Sequence, residues 1–417
     1  MEETKNLFLK GAATAAHQAE GNNIHSDCWA MEHMKNTSFR EPSNDAVDHY
    51  HRFREDIALM KDAGLTAYRF SIEWARIEPE KGTYDEEALN HYREVLTCCR
   101  ENGIAPIVTL HHFSSPKWLI ERGGWESEET IGAFRDYCVC VVKNLGELME
   151  YVCTINEANM GLQLAAIIRT IMKQMQADVQ VGVNMELNPV GERRKAAAEE
   201  NTEVFGTPQP QVFLGMRTAK GDRIILRAHE AARDAIKAIR PNLKVGITLS
   251  LHDIQSVDGG EAQAQKAWEE EFSHYLPYLQ KDDFIGVQNY TRQLIGPEGV
   301  LPVPENAKRT QMDYEYYPEA LEHVIRRVYS ELPLPVFVTE NGIATADDEE
   351  RCAFIDSALK GVDRCLADRI PVIGYLYWSL LDNFEWQKGF GPTFGLVAVN
   401  RSTMERKPKK SLTYLGR

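Results

Sequence analysis

The chain has 417 residues, 43% of them hydrophobic, and a formal net charge of −15, so it is long enough for a large α/β barrel and too acidic for nucleic acid or an anionic membrane surface. No apolar run approaches the ~18 residues a membrane span needs, and Met1–Lys10 lacks the basic and apolar regions of a signal peptide. The expectation is a cytoplasmic protein with no membrane partner, for which a homo-oligomer is left open. The eight cysteines form no CxxC pair with matching His or Cys partners, so neither a zinc site nor any other metal is expected.

Strand-like and helix-like stretches alternate along the chain. Leu7–Ala13 reads as the first strand, followed by Gln18 in the stretch Ala15–Gly21. Val47, Tyr50, Phe53, Ile57 and Met60 recur at helical spacing, with Gly64 as the residue after the helix end. Thr66–Ile72 is the second strand and carries Arg69. Thr83 and Glu86 have capping-box spacing ahead of a helix marked by Leu89, Tyr92, Leu96 and Cys99, which Gly103 ends. Ala105–Leu110 is the third strand and runs into His111, His112 and Phe113. A helix through Ile131, Phe134, Cys138, Val141, Leu145 and Leu148 leads to the fourth strand, which ends at Asn156 and Glu157.

The interval that follows is less regular. A helix is predicted over Leu162–Met175, and then 180–211 is polar, holds Pro189, Pro208 and Pro210, and shows no period. An unstructured stretch of ~20 residues or more inside a compact domain is usually functional or disordered, so it is read as a loop excursion at a barrel mouth. The helix through Ile224, Ala228, Ala231, Ala235 and Ile239 precedes a fifth strand, Val245–Leu249. A helix over Glu261–Leu279 precedes the sixth, Phe284–Val287, which leads to Gln288, Asn289 and Tyr290. A helix with Ala320, Leu321, Val324 and Val328 precedes Val336–Thr339, and one with Phe354, Ala358, Val362 and Cys365 precedes Val372–Leu376.

Eight strands with about eight crossovers, and no linker or repeat between them, predict a single-domain (β/α)8 TIM barrel spanning 1–417. The seventh strand is a short β-branched run bounded by Pro335 and by Asn341-Gly342, as expected of a strand buried on both faces. It ends in Glu340, where such barrels place their chemistry. The strand ends together supply two carboxylates, Glu157 and Glu340, with Gln18, Arg69, His112, Asn156, Tyr290, Trp378, Glu385 and Trp386. Amide and imidazole groups for hydroxyls, and indole faces for C–H surfaces, are what a pyranose ring requires.

The sequence resembles the family 1 glycoside hydrolases of the β-glucosidase type over nearly its whole length. The likeness is carried by Phe8–Gly21, Tyr68–Arg76, Thr154–Glu157, Thr339–Gly342 and Tyr377–Trp386. The resemblance implies a retaining β-glycosidase, foremost a β-glucosidase, that needs no cofactor and takes small β-glycosides or oligosaccharides. It makes Glu340 the nucleophile and Glu157 the acid/base, with carboxyl groups ~5–5.5 Å apart. Arg69 and Tyr290 would hold Glu340 ionised, Asn156 would meet the sugar 2-hydroxyl, Gln18, His112, Glu385 and Trp386 would bind the outer hydroxyls, and Trp378 would floor the ring. This chain departs from the family pattern at Phe113, where a Trp is usual, at Gln288 in the usual Asn-Tyr-Tyr, and at Ala158, where Pro is common. The segment 387–395 has Lys388 but no Ser, unlike relatives that act on 6-phosphosugars. A 6-phospho-β-glycosidase, or a non-catalytic sugar-binding protein of the same fold, stand as the alternatives.

Overall fold

A computed structural model describes residues 8–165 and 188–417. Eight parallel strands close into one barrel: β1 (Leu9–Ala13), β2 (Ala67–Ser71), β3 (Ala105–His111), β4 (Tyr151–Ile155), β5 (Lys244–Ser250), β6 (Phe284–Gln288), β7 (Val336–Asn341) and β8 (Val372–Trp378). Each strand pairs with its sequence neighbours, and β8 returns to β1 in register, Leu9 opposite Gly374 and Ala13 opposite Trp378. Closure demands close backbone approach where β1 meets β2, since a Cβ on Gly11 would fall 1.8 Å from the carbonyl oxygen of Ala67.

The eight expected strands are all present, with ends moved by a residue or two. The helix His49–Ala63 stops where Gly64 takes φ 89°, a conformation glycine adopts without a Cβ penalty. The cap of the next helix differs from expectation: Glu86–Glu101 is capped by Asp85, whose carboxylate accepts from the backbone N–H groups of Glu87 and Ala88 at 2.8 and 2.9 Å. Asp85 satisfies two of the free N–H groups of the first turn by itself, so the predicted box on Thr83 is not used.

Two further corrections concern the crossovers. The stretch read as an aperiodic excursion contains the helix Asn188–Phe205. Pro189 is no obstacle there, because a proline in the first turn lacks only an N–H that has no intrahelical partner, and the following Ala-Glu-rich run has high helix propensity. Of the predicted Leu162–Met175 helix, residues 160–165 are helical, and the remainder lies outside the described residues, as do 180–187 of the excursion. The Glu261–Leu279 helix is broken into Glu261–Glu271, the 3-10 turn Ser273–Tyr275 and Leu276–Leu279, and Pro277 cannot supply the N–H that a continuous helix would need.

The barrel interior is stratified. Ala67, Ile107, Cys153, Phe284, Phe337 and Leu376, one from each of six strands, form an apolar plug in which every side chain is at most 1% exposed. Burying a side chain of this kind contributes about 1.5–3 kcal/mol. Two residues further along β2 and β3, side chains of the same face become polar, at Arg69 and Thr109. The plug therefore supports a polar layer at the C-terminal ends of the strands. Outside the barrel, the C-terminal segment is held by Arg406, whose Nε and Nη2 donate to Asp56 at 2.8 and 2.9 Å, and the last helix is Lys410–Gly416.

Among the described residues no helix is long and apolar enough to cross a membrane. The cysteines are all free, seven of them buried.

Candidate active site

Period-2 alternation alone would turn Glu340 away from the barrel, since Phe337 faces inward. The pairing of β7 with both neighbours is irregular beyond Val338, where register shifts precede Glu340 on the β6 side and Asn341 on the β8 side. An irregularity of this kind re-aims a side chain at a strand end. Glu157 follows β4 with φ 42°, a left-handed conformation that is costly for a residue with a Cβ and is typical of functional positions. Both carboxylates thereby reach one cavity of about 1060 Å³ at the C-terminal mouth of the barrel.

Glu340 is held on both oxygens. Arg69 Nη1 donates to Oε1 and the Tyr290 hydroxyl to Oε2, each at 2.6 Å. Tyr290 rather than Thr291 thus meets the carboxylate, while Asn289 turns away to donate to the carbonyls of Leu251 and Thr291. Arg69 is fully enclosed. Its Nε donates to Thr109 Oγ1 at 2.9 Å and its Nη2 to Asn156 Oδ1 at 2.5 Å. Burial raises the Glu340 carboxyl above its ordinary value, and the Arg69 charge and the Tyr290 hydrogen bond offset part of that rise.

Among the described residues, Glu157 has no such cation on its carboxyl. Its backbone N–H donates to Thr248 Oγ1 at 3.0 Å. Burial first, and the charge of Glu340 second, push its pKa up to about 8, against smaller lowering effects of Ser250 and Arg69. The two carboxyls are therefore differentiated by their partners, and the shared proton belongs on Glu157.

The outer wall of the cavity holds Gln18, His112, Phe113, Trp378, Glu385 and Trp386. Gln18 Nε2 donates to the Phe384 carbonyl at 2.7 Å and to Glu385 Oε2 at 3.2 Å, and its Oε1 has no protein partner. Burial and the Glu340 charge push Glu385 up to about 8. His112 stacks on Trp378 with centroids 5.6 Å apart. Burial and Arg69 hold its pKa well below the usual range, so the ring is neutral. His111 bonds Ser115 Oγ at 3.0 Å within an aromatic cluster of Trp125 and Phe213. Phe113 packs on Trp386 at 5.3 Å and on Phe213 at 5.7 Å.

Arg69 and Asn156 stand one layer behind this lining. Asn156 is fully enclosed, and its Nδ2 faces His112 Nε2 at 3.3 Å. Sequence reasoning missed the other side of the cavity. Tyr314, 37% exposed, lines the cavity at its mouth. The strands Arg292–Gly296 and Gly299–Val300, with the segment 301–304, form an apolar rim that includes Leu294, Leu301 and Val303. Among the described residues, no group of three His, Cys, Asp or Glu side chains is placed to hold a metal ion.

Comparison with known proteins places the site in context. The family model described as glycosyl hydrolase family 1 matches residues 2–180 and 272–417. The chain is 29% identical to a β-glucosidase A of Acetivibrio thermocellus, over 97% of this chain and 95% of the relative. It is 28% identical to an aryl-phospho-β-D-glucosidase of Bacillus subtilis, over 97% and 94%. A crystal structure of β-glycosidase BGL167 superposes with a TM-score of 0.89 at 48% identity, covering 98% of this chain and 95% of that one.

Proposed function

This chain belongs to glycosyl hydrolase family 1, and from that premise we propose that it hydrolyses terminal β-D-glucosides with retention, using Glu340 as nucleophile and Glu157 as acid/base. The observation that carries the assignment is the asymmetry of the two carboxyls. Glu340 accepts from a guanidinium and a phenol, while Glu157 has no cation partner among the described residues and is pushed up to about 8.

In the first step Glu340 attacks the anomeric carbon, and Glu157 gives its proton to the departing glycosidic oxygen. Esterification of Glu340 removes the charge that is the second cause of the raised Glu157 pKa. Glu157 then ionises and takes a proton from the water that attacks the glycosyl-enzyme, which frees Glu340. Arg69 and Tyr290 keep Glu340 anionic before attack and stabilise it as it leaves. Gln18, His112, Glu385 and Trp386 hold the outer hydroxyls, Trp378 floors the ring, and Asn156 holds the 2-hydroxyl, where the contact strengthens as positive charge develops at the anomeric centre.

An unphosphorylated sugar is favoured by Glu385. A phosphate on O6 would meet the Glu385 carboxyl rather than a cation at the outer wall, and Lys388 is half-exposed and 4.0 Å from Asp313. The apolar rim favours an apolar aglycone. Buried free thiols fit a reducing, cytoplasmic compartment.

The test is steady-state release of nitrophenol from the β-glucoside, the β-galactoside and the β-glucoside 6-phosphate. Turnover of an unphosphorylated glycoside that disappears in Glu340→Gln supports the reading. Preference for the 6-phosphate would replace it with the phosphoglycosidase, and sugar binding without turnover would replace it with a binding protein.

A further inference from the structure

Gln288, one of the residues at which this chain departs from its family's usual pattern, closes β6 between β5 and β7, the strand that carries Glu340. It pairs with Ser250 of β5 and with Glu340 of β7. Its Nε2 donates to Asn156 Oδ1 at 2.7 Å, while its own Oε1 is buried without a partner among the described residues. Asn156 Oδ1 also accepts from Arg69 Nη2 at 2.5 Å and from Thr248 Oγ1 at 3.3 Å. An amide oxygen has two lone pairs, so three donors leave it nothing to offer a ligand.

The orientation of the Asn156 amide follows from the same donors. A flipped amide would set its NH2 against the guanidinium of Arg69 and the NH2 of Gln288, donor against donor. A flipped Gln288 would set oxygen against oxygen. In the arrangement that satisfies both, Asn156 Nδ2 is turned toward His112 Nε2 at 3.3 Å, and its second amide hydrogen takes no part in these contacts.

We propose that Gln288 is a positioning residue for this reaction: together with Arg69 it locks the Asn156 amide, so that the group meeting the sugar 2-hydroxyl is an N–H donor held at a fixed angle. Arg69 engages one lone pair from the β2 side, and Gln288 engages the oxygen from the β6 side, so the amide cannot swing about its last side-chain torsion. The inference rests on the β-glycosidase reading and adds the device that aims its transition-state contact.

The test compares nitrophenyl β-glucoside with its 2-deoxy analogue on wild type, Gln288→Met and Gln288→Glu. Met keeps the length and removes the donor, and Glu keeps the shape and puts an acceptor against Asn156 Oδ1. Because the contact strengthens in the transition state, kcat for the glucoside is expected to fall ~10–100-fold with KM little changed. The 2-deoxy substrate should change less than about threefold, so the preference for a 2-hydroxyl shrinks. In an Asn156→Ala background the Gln288 substitutions should have almost no further effect, as a double-mutant cycle reads out. Equal losses on both substrates, or an unchanged preference in both variants, would overturn the proposal. Wild type that turns over no β-glycoside would instead overturn the hydrolase reading, and this inference with it.

Discussion

Arg69 and Glu340 meet at 2.6 Å with the guanidinium fully enclosed and the carboxylate 3% exposed. A buried pair of this kind gains little over an apolar substitute, but losing one partner strands a charge, at a cost of about 3–5 kcal/mol. Arg69→Met should therefore both destabilise the protein and raise the Glu340 pKa, since Arg69 is what lowers it. The expected outcome is a loss in kcat/KM of ~10³-fold or more and an acid limb moved to higher pH. An acid limb that stays in place while activity falls would assign Arg69 to structure alone.

In the proposed mechanism Glu157 carries a proton in the first step, so kcat/KM should fall as pH rises through about 8. In Glu157→Gln that basic limb should vanish. Substrates whose leaving groups need no proton, such as dinitrophenyl glycosides, should keep a rapid first step and show a burst followed by slow turnover. Alkyl glycosides should lose most of their activity in both steps. Equal losses across leaving groups would remove Glu157 from the acid role.

The same two shifts bear on stability. Glu157 and Glu385 are both raised to about 8 in the folded chain, above the ~4.3 of an unfolded glutamate. Between those values the folded state binds more protons than the unfolded one, so stability falls with rising pH. Glu157→Gln or Glu385→Gln should leave Tm nearly unchanged at pH 4 and raise it at pH 8, by the equivalent of about 1–3 kcal/mol. A gain of the same size at both pH values would point to packing instead.

What could be read in advance follows from how each feature is encoded. Strands buried on both faces are written as continuous apolar runs stopped by Gly, Pro or Asn, so β7 and its terminal Glu340 were legible, as was the Glu157 end of β4. The turn of Glu340 into the barrel was not, because it depends on a register shift with two strands distant in the chain. Thr83 matched a capping pattern, yet Asp85 lies closer to the helix and supplies both hydrogen bonds. Pro189 looked like a breaker in a polar stretch, but in the first turn of Asn188–Phe205 it breaks nothing. Tyr314 and the apolar rim sit on loops and short strands whose approach to the carboxylates is tertiary. Their only local signal is the run Val300–Val303, apolar at an exposed position.

The most direct measurement is to react the protein with an activated 2-deoxy-2-fluoro-β-glucoside and map the labelled peptide by mass spectrometry. The fluorine slows both steps and the activated leaving group restores the first, so a covalent glycosyl-enzyme accumulates. A single adduct on Glu340, with the β-anomer as the first product from an ordinary glucoside by NMR, is the predicted result. An adduct on another carboxylate, or no adduct together with the α-anomer as first product, would contradict the assignment of Glu340 as nucleophile.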